Sequence, residues 1–521
     1  MSLNLKAFLL STLSGLLLWL AWPSFPTTFL IFFAFVPLLY AEHLLAEAKQ
    51  QGFWYYNYWT MFLWNAGTTW WIYNSTAGGG TFAVIANAFM MTAPLAAFRK
   101  TKLVFGERLG YISLIVYFIG FEYLHLNWDI AWPWITLGNV FAIQHNWVQW
   151  YEYTGILGGS LWILLANIIV LKQLTAKQRR AVPAGIKILL IILLPIAISA
   201  WVKSKVVADG KTISLVAVQP NIDPFGEKFD TPVEIQMEKM MDLSDQAIGT
   251  KQVDVVLWPE TAIQGSNREF TFSQNERYTL LSDFIKKHPK TALLSGLESW
   301  EIVPEGSNPA YTKFSNNVGY YQTYNAGLWM NGDTLAIYHK SKFVPGVEAI
   351  PFPKVLGFFE DLIDFSAAGT YAPQDTRPVF ETQTGVKIAP IICYESIFGD
   401  FLREYVKNGA EVLTIITNDG WWGDTEGHKH HNLYAKLRAI ETRRPVVRSA
   451  NTGISSFIDI NGDILQQSNY WEPAALYGEV TTSTKTTFFT KYGDYIGRTF
   501  AFLSIVLFLS TLVRKKTEKF R

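Results

Sequence analysis

Eight apolar stretches, each long enough to cross about 30 Å of hydrocarbon, constrain this chain more than any other feature. They lie near residues 5–22, 28–48, 53–73, 81–98, 109–127, 152–171 and 186–203, with the last at 496–513. Only six acidic residues fall in the first 203 positions: Glu42, Glu47, Glu107, Glu122, Asp129 and Glu152. Within lipid a chain has to satisfy its own backbone hydrogen bonds, so these stretches are expected to be helices. The first run has a single Lys6 ahead of it and passes into Ala21-Trp22-Pro23 with no small-x-small site. It reads as a retained span, not as a cleaved signal peptide.

Loop charge gives an orientation. Arg99, Lys100, Lys102 and Arg108 would share one side with Lys172, Lys177, Arg179, Arg180 and Lys187, and with the tail residues Arg514, Lys515, Lys516, Lys519 and Arg521. The opposite loops, near 23–27, 74–80 and 128–151, hold no Lys or Arg. Basic loops stay in the cytoplasm. Both termini are therefore expected inside, with residues 204–495 delivered to the outer face. The expected domains are seven spans over 1–203, an exported domain over 204–495, and an eighth span with a basic tail over 496–521.

Composition excludes several function classes. Net charge is +1 and charged residues make up 17% of the chain, with no basic block outside the membrane-flanking loops. That leaves no electrostatic footprint for nucleic acid. The single cysteine, Cys393, rules out an intrachain disulfide, a CxxC redox pair and a multi-cysteine zinc site.

Between about 212 and 485, β-branched runs alternate with helical stretches. Strands are expected at 213–218, 253–258, 292–295, 335–338, 387–393, 412–417, 446–449 and 454–460, and helices at 232–248 and 275–287. The first helix is expected to start at Pro232 and to bury Ile235, Met240, Met241 and Ile248. Continuous apolar strands with intervening helices imply an α/β domain with a buried sheet. Residues 299–325 and 341–375 read as long loops, and a greasy arm at 343–365 is expected either to dip into the bilayer interface or cover a lipid-filled cleft, or to form an ordinary core helix at 354–365.

Three of the strands stop on a reactive group. Asp254-Val255-Val256-Leu257-Trp258-Pro259-Glu260 ends on a carboxylate, Leu335-Ala336-Ile337-Tyr338-His339-Lys340 on an ammonium, and Ile391-Ile392-Cys393-Tyr394-Glu395 on the lone thiol. A lone thiol by itself is more often a buried filler than a nucleophile. A thiol beside a proton acceptor and a cation has what a nucleophile needs. Lys340 can also stabilise an oxyanion, with the Tyr394 backbone N–H as a second donor.

The segment 213–480 resembles the nitrilase, or carbon–nitrogen hydrolase, superfamily. The resemblance rests on Trp258-Pro259-Glu260, Tyr338-His339-Lys340, Val344-Pro345 with Glu348, Ile392-Cys393-Tyr394-Glu395, Asn418-Asp419-Gly420-Trp421-Trp422, Arg443-Arg444-Pro445, Arg448-Ser449 and Asn451-Thr452-Gly453. With membrane spans ahead of the domain and one behind it, the whole chain resembles that superfamily's membrane branch, the apolipoprotein N-acyltransferases. The resemblance implies an eight-span α-helical bundle plus an exported α/β αββα sandwich, with Glu260, Lys340 and Cys393 as the catalytic triad. It further implies supporting or substrate-binding roles for Glu348, Tyr394, Glu395, Trp421 and Trp422, and no cofactor or metal. The implied partners are a phospholipid acyl donor, a diacylglyceryl-modified apolipoprotein acceptor and the lipid bilayer, with no nucleic acid; a monomer in a bacterial inner membrane is expected. The family usually reads Val-Pro-Phe-Gly-Glu where this chain has Val344-Pro345-Gly346-Val347-Glu348, so the glycine has moved while the distance to Glu348 is kept.

Other residues weigh less. His428, His430 and His431 are read as a polar loop opening a helix at 431–442 in preference to a metal site. Trp421 and Trp422 read as interfacial anchors or cleft walls, and Glu122 and His125 are left without a role. No GxSxG, P-loop or GxGxxG is present. Two alternatives stand beside the acyltransferase reading: a membrane-tethered amidase or nitrilase acting on a small exported substrate, and a non-enzymatic scaffold or transporter.

Overall fold

The computed structural model describes residues 1–176, 181–352 and 370–519. The chain forms two compact units, Met1–Val206 with Tyr492–Arg521, and Val207–Lys491.

In the first unit, seven helices among the described residues are long and apolar enough to cross a membrane. They are Leu3–Leu20, Thr28–Glu47, Ala77–Phe105, Glu107–Leu126, Ile156–Thr175, Pro183–Lys203 and Tyr495–Lys515. The expected count of eight is corrected at 53–73. That stretch is a 17-residue helix, Phe53–Thr69, followed by a 3-10 turn at Trp70–Asn74. It buries Asn57, Thr60, Asn65, Thr68 and Thr69, and these polar positions make it a bundle helix of mixed character. Asn65 belongs to a relay in which Trp128 donates to His125 Nδ1 at 2.9 Å, His125 Nε2 meets Asn87 Oδ1 at 2.6 Å, and Asn87 donates to Asn65 at 2.7 Å. Glu122 accepts the Leu137 N–H at 2.7 Å. Both residues left without a role in the sequence thus hold the bundle's own polar groups.

The second unit contains 14 strands among the described residues. They are β1 (Thr212–Gln219), β2 (Val255–Leu257), β3 (Ile263–Arg268), β4 (Ala292–Ile302), β5 (Lys313–Ser315), β6 (Gly319–Asn331), β7 (Thr334–His339), β8 (Phe380–Glu381), β9 (Lys387–Ile392), β10 (Val412–Thr417), β11 (Val446–Ala450), β12 (Ser456–Ile458), β13 (Ile464–Gln467) and β14 (Ala474–Thr481). One sheet runs β14-β1-β2-β4-β6-β5, with β3 on β4 and β7 on β6; the other runs β13-β12-β11-β10-β9-β8. Alternate residues explain the layers. Ile213, Leu215 and Ala217 of β1 pack with Ile391, Leu413 and Val447 between the sheets, while Val216 and Val218 pack with Met237, Met240 and Phe284 of the covering helices. Further helices, Gly399–Lys407 and Glu426–Thr442, border the second sheet. The result is the expected αββα sandwich.

Several local expectations change. The stretch 299–325 is largely sheet, because β4 and β6 form a long antiparallel ladder from Leu293↔Met330 to Ile302↔Tyr321. The helix Val233–Ile248 starts one place later than expected, with Pro232 as its N-cap. Ile235 on that helix is 53% exposed. Gln236 takes the inward position instead, because its amide caps Lys228 O and Thr231 O at 3.0 and 2.8 Å. Residues 341–352 and 370–375 carry no helix, and most of the expected apolar arm, 353–365, lies outside the described residues.

Candidate active site

β9, β10 and β11 run parallel, so their C-terminal ends open on one side of the sheet. Cys393 follows β9, Asn418 and Asp419 follow β10, and Asn451 follows β11. In the facing sheet, β2 leads to Glu260 and β7 to Lys340. Strand ends of this kind are where an α/β fold presents side chains to a ligand.

Glu260 sits on a turn pressed against β4. Gly296 makes this possible: a Cβ there would lie 2.2 Å from Thr261 N and 2.5 Å from Pro259 O. The Gly296 N–H donates to Pro259 O at 3.1 Å, and Thr261 is left-handed at φ +49°. The carboxylate is 7% exposed. Its Oε1 accepts from Lys340 Nζ and from Asn325 Nδ2, both at 2.9 Å, and its Oε2 accepts the Asn418 N–H at 3.1 Å. Burial opposes ionisation, but Lys340 outweighs it and holds Glu260 below the usual carboxylate range. Lys340, 1% exposed, also donates to Glu348 Oε1 at 2.6 Å. Burial disfavours its charge, yet Glu260 and then Glu348 overcome that and raise it well above an ordinary lysine.

Cys393 is not the last residue of the strand, as expected, but the first of a 3-10 turn, Cys393–Ile397. Its φ of +48° is left-handed, a conformation that costs an L-residue about 1–2 kcal/mol. The thiol is 8% exposed and lies within the electrostatic reach of Glu260. Burial first, then the Glu260 charge, pushes the thiol well above its ordinary range, against the opposing pull of Lys340. A resting thiol here is protonated, with the Glu260 carboxylate as the acidic group acting on it.

The other expected site residues fall into two groups. Glu348 joins the cluster directly, accepting from Lys340 and from the Val344 N–H at 2.9 Å. Tyr394 and Glu395 lie in the cysteine turn, buried. Glu395 accepts from Tyr338 at 2.6 Å, from the Ser341 N–H at 2.7 Å and from the Ile392 N–H at 2.9 Å. It therefore ties the Cys393 turn to the segment around Lys340. Trp421 and Trp422 are partly buried and pack edge-on against Phe225 and His431.

One residue escaped the sequence reading, and the histidines stand elsewhere than expected. Asn325 on β6 donates to both Glu260 and Glu348, at 2.9 and 3.3 Å. The three histidines lie inside the helix Glu426–Thr442, not in a loop before it. His428 stacks on Tyr470 and His430 on Tyr434, whereas His431 reaches the cysteine turn. Ligand atoms of Cys393, Asp419 and His431 come within 4.8 Å of one another, the one such trio among the described residues. Both His431 nitrogens already face protein partners, Asp419 at 2.9 Å and Ser396 at 2.8 Å. Asp419 is held in addition by Arg448 and Thr417. The trio is thus satisfied as a hydrogen-bond network.

Comparison with known proteins gives the family. Residues 215–487 match the carbon-nitrogen hydrolase family, and residues 14–169 match the apolipoprotein N-acyltransferase N-terminal domain. The chain is 31% identical to the apolipoprotein N-acyltransferase of Chlorobaculum tepidum, over 98% of this chain and 97% of that one. It is 29% identical to the enzyme of that name from Geobacter metallireducens, over 94% and 92%, and 26% identical to that of Thermotoga maritima, over 97% and 93%. With both family regions matched in order and a relative aligned over nearly its full length, the chain belongs to the apolipoprotein N-acyltransferase family.

Proposed function

We propose that this bacterial membrane protein transfers an acyl chain from a phospholipid to the N-terminal amine of an S-diacylglyceryl-cysteine, through a thioester on Cys393. The observation that carries the reading is Lys340 held between Glu260 and Glu348, with the buried Cys393 thiol under the charges of Glu260 and Lys340.

In the first half-reaction Cys393 Sγ attacks the ester carbonyl and Glu260 takes the thiol proton as the S–C bond forms. The raised thiol favours this concerted path, since a free thiolate would face the Glu260 charge. Lys340 Nζ and the Tyr394 N–H stabilise the oxyanion. The C–O bond breaks and the lysophospholipid leaves with the proton. In the second half-reaction the α-amine attacks the thioester carbonyl, Glu260 accepts a proton from the amine, the N–C bond forms and the C–S bond breaks. That proton returns to the thiol. The scheme is ping-pong.

Glu348 and Asn325 keep Lys340 and Glu260 in register, and Glu395 holds the cysteine turn. The domain after residue 204 is read as the exported catalytic part, on the periplasmic side of the inner membrane. The basic residues flanking the apolar helices support that placement.

The test is transfer itself. Full-length protein in detergent, supplied with a phospholipid and a synthetic diacylglyceryl-cysteine peptide, is expected to yield a peptide heavier by one acyl group, amide-linked at its N-terminus. Release of free fatty acid with an unmodified peptide would instead make the protein a hydrolase.

A further inference from the structure

The left-handed backbone at Cys393 persists only if its surroundings over-determine it. Its carbonyl oxygen is held from two directions. Ser396 Oγ donates to it at 2.7 Å, and His431 Nε2 lies 3.1 Å from it and 2.8 Å from Ser396 Oγ. A carbonyl oxygen only accepts, so His431 Nε2 carries the hydrogen at that contact.

The far side of the imidazole is fixed as firmly. Nδ1 lies 2.9 Å from Asp419 Oδ1 and 2.9 Å from Arg448 Nη2. Arg448 also pairs with Asp419 Oδ2 and donates to Ile454 O at 2.6 Å, while Thr417 donates to Asp419 Oδ1 at 2.8 Å. Burial works against the Asp419 charge, but Arg448 and His431 outweigh it and hold its carboxyl well below the usual range. Arg448, Asp419 and His431 are all shut off from solvent, at 0, 0 and 1% exposure. A line of contacts thus runs from β11 through the end of β10 and the helix Glu426–Thr442 to the backbone of the thiol-bearing residue.

We propose that His431, oriented by Asp419 and Arg448, is a positioning residue for Cys393. By pinning the Cys393 carbonyl it fixes the strained turn, which keeps the thiol on Glu260 and the Tyr394 N–H on the carbonyl under attack. The inference rests on the reading of Cys393 as the acylated nucleophile.

His430 supplies an internal control. It is as buried as His431, on the same helix, but its ring stacks on Tyr434. Both His431→Ala and His430→Ala remove a buried imidazole; only the first touches Cys393. The rate of Cys393 acylation is measured on full-length protein with a phospholipid and, separately, with p-nitrophenyl octanoate, which supplies an activated ester without a lipid headgroup. His431→Ala is expected to lower kcat about tenfold or more with KM for the phospholipid little changed, and to slow acylation by the nitrophenyl ester as much, the scale of a small misplacement of a reacting group. His430→Ala is expected to lower thermal stability while leaving both rates, per folded molecule, within about twofold of wild type.

Wild-type rates in His431→Ala would overturn the proposal. Equal slowing in both variants would overturn it too, since the effect would then be general loosening of the helix. Should His431→Ala fail to fold, Asp419→Asn reads the same line one contact back; slowed acylation supports the proposal and a wild-type rate overturns it. Acylation of wild type by the nitrophenyl ester alone, slowed in His431→Ala, would support positioning while overturning the phospholipid reading. No acylation of wild type by either donor would overturn both.

Discussion

Tyr338 donates its hydroxyl hydrogen to Glu395 at 2.6 Å, and that contact joins the strand leading to Lys340 to the turn that carries Cys393. The two groups lie on elements of different sheets, β7 and the turn after β9, so the bond spans the sandwich core. Tyr338→Phe removes the donor and leaves a buried carboxyl one partner short, at a cost of about 1–3 kcal/mol. The expected outcome is a lower melting temperature together with reduced kcat, read by thermal unfolding and by the acyl-transfer rate.

Glu395 also gives the protein a pH dependence. Burial raises its carboxyl from the ordinary 4.5 to about 7, against the pull of its hydrogen bonds from Tyr338, Ile392 and Ser341. Between those values the folded state keeps a proton that the unfolded chain has lost. This contribution to stability is therefore complete below the unfolded value and is lost as pH rises through the folded one, about 3 kcal/mol in all. The melting temperature of wild type is expected to fall relative to that of Glu395→Gln between about pH 5 and pH 8, because the amide does not titrate. Parallel curves would contradict the assignment.

Among the described residues, Asn325 is the one neutral side chain that bonds to both carboxylates flanking Lys340. Asn325→Ala is expected to lower kcat by about one order of magnitude with little effect on KM, as loss of alignment in the reacting groups does. Steady-state kinetics with varied phospholipid measure the split.

Glu348 shares the Lys340 charge with Glu260 and fixes the Val344 backbone. Glu348→Gln keeps the shape and removes one negative charge. Lys340 then leans wholly on Glu260, which weakens that carboxylate as the base for the thiol. A fall of about tenfold to a hundredfold in the acylation rate is expected, followed as the first turnover in a rapid-quench experiment.

The sequence exposed those parts of the site that end an apolar run. Glu260, Lys340 and Cys393 each follow buried strand residues, and the change from grease to a reactive group is visible without neighbours. Asn325 was hidden because β6 opens with Gly319-Tyr320-Tyr321-Gln322-Thr323, half-exposed residues with no alternation, and the stretch reads as loop. His431 was visible only as one of three histidines. Its contact with Cys393 is set by how the helix Glu426–Thr442 lies against the turn after β9, a tertiary fact that no local pattern encodes. The phase of the helix Val233–Ile248 was misjudged for a similar reason. The inward place goes to Gln236, whose amide satisfies two backbone carbonyls, a demand invisible in a hydrophobic pattern. Phe53–Thr69 reads as a span by its aromatic content, while its buried Asn and Thr side chains serve neighbouring helices.

The central claim is a thioester on the single cysteine, and the most direct test weighs it. Full-length protein is incubated with a phospholipid of defined acyl chains and its intact mass recorded. The expected result is a gain of one acyl group that is removed by hydroxylamine, absent in Cys393→Ala, and discharged on adding a diacylglyceryl-cysteine peptide. An adduct that survives in Cys393→Ala, or acyl transfer by that variant at the wild-type rate, would contradict the account.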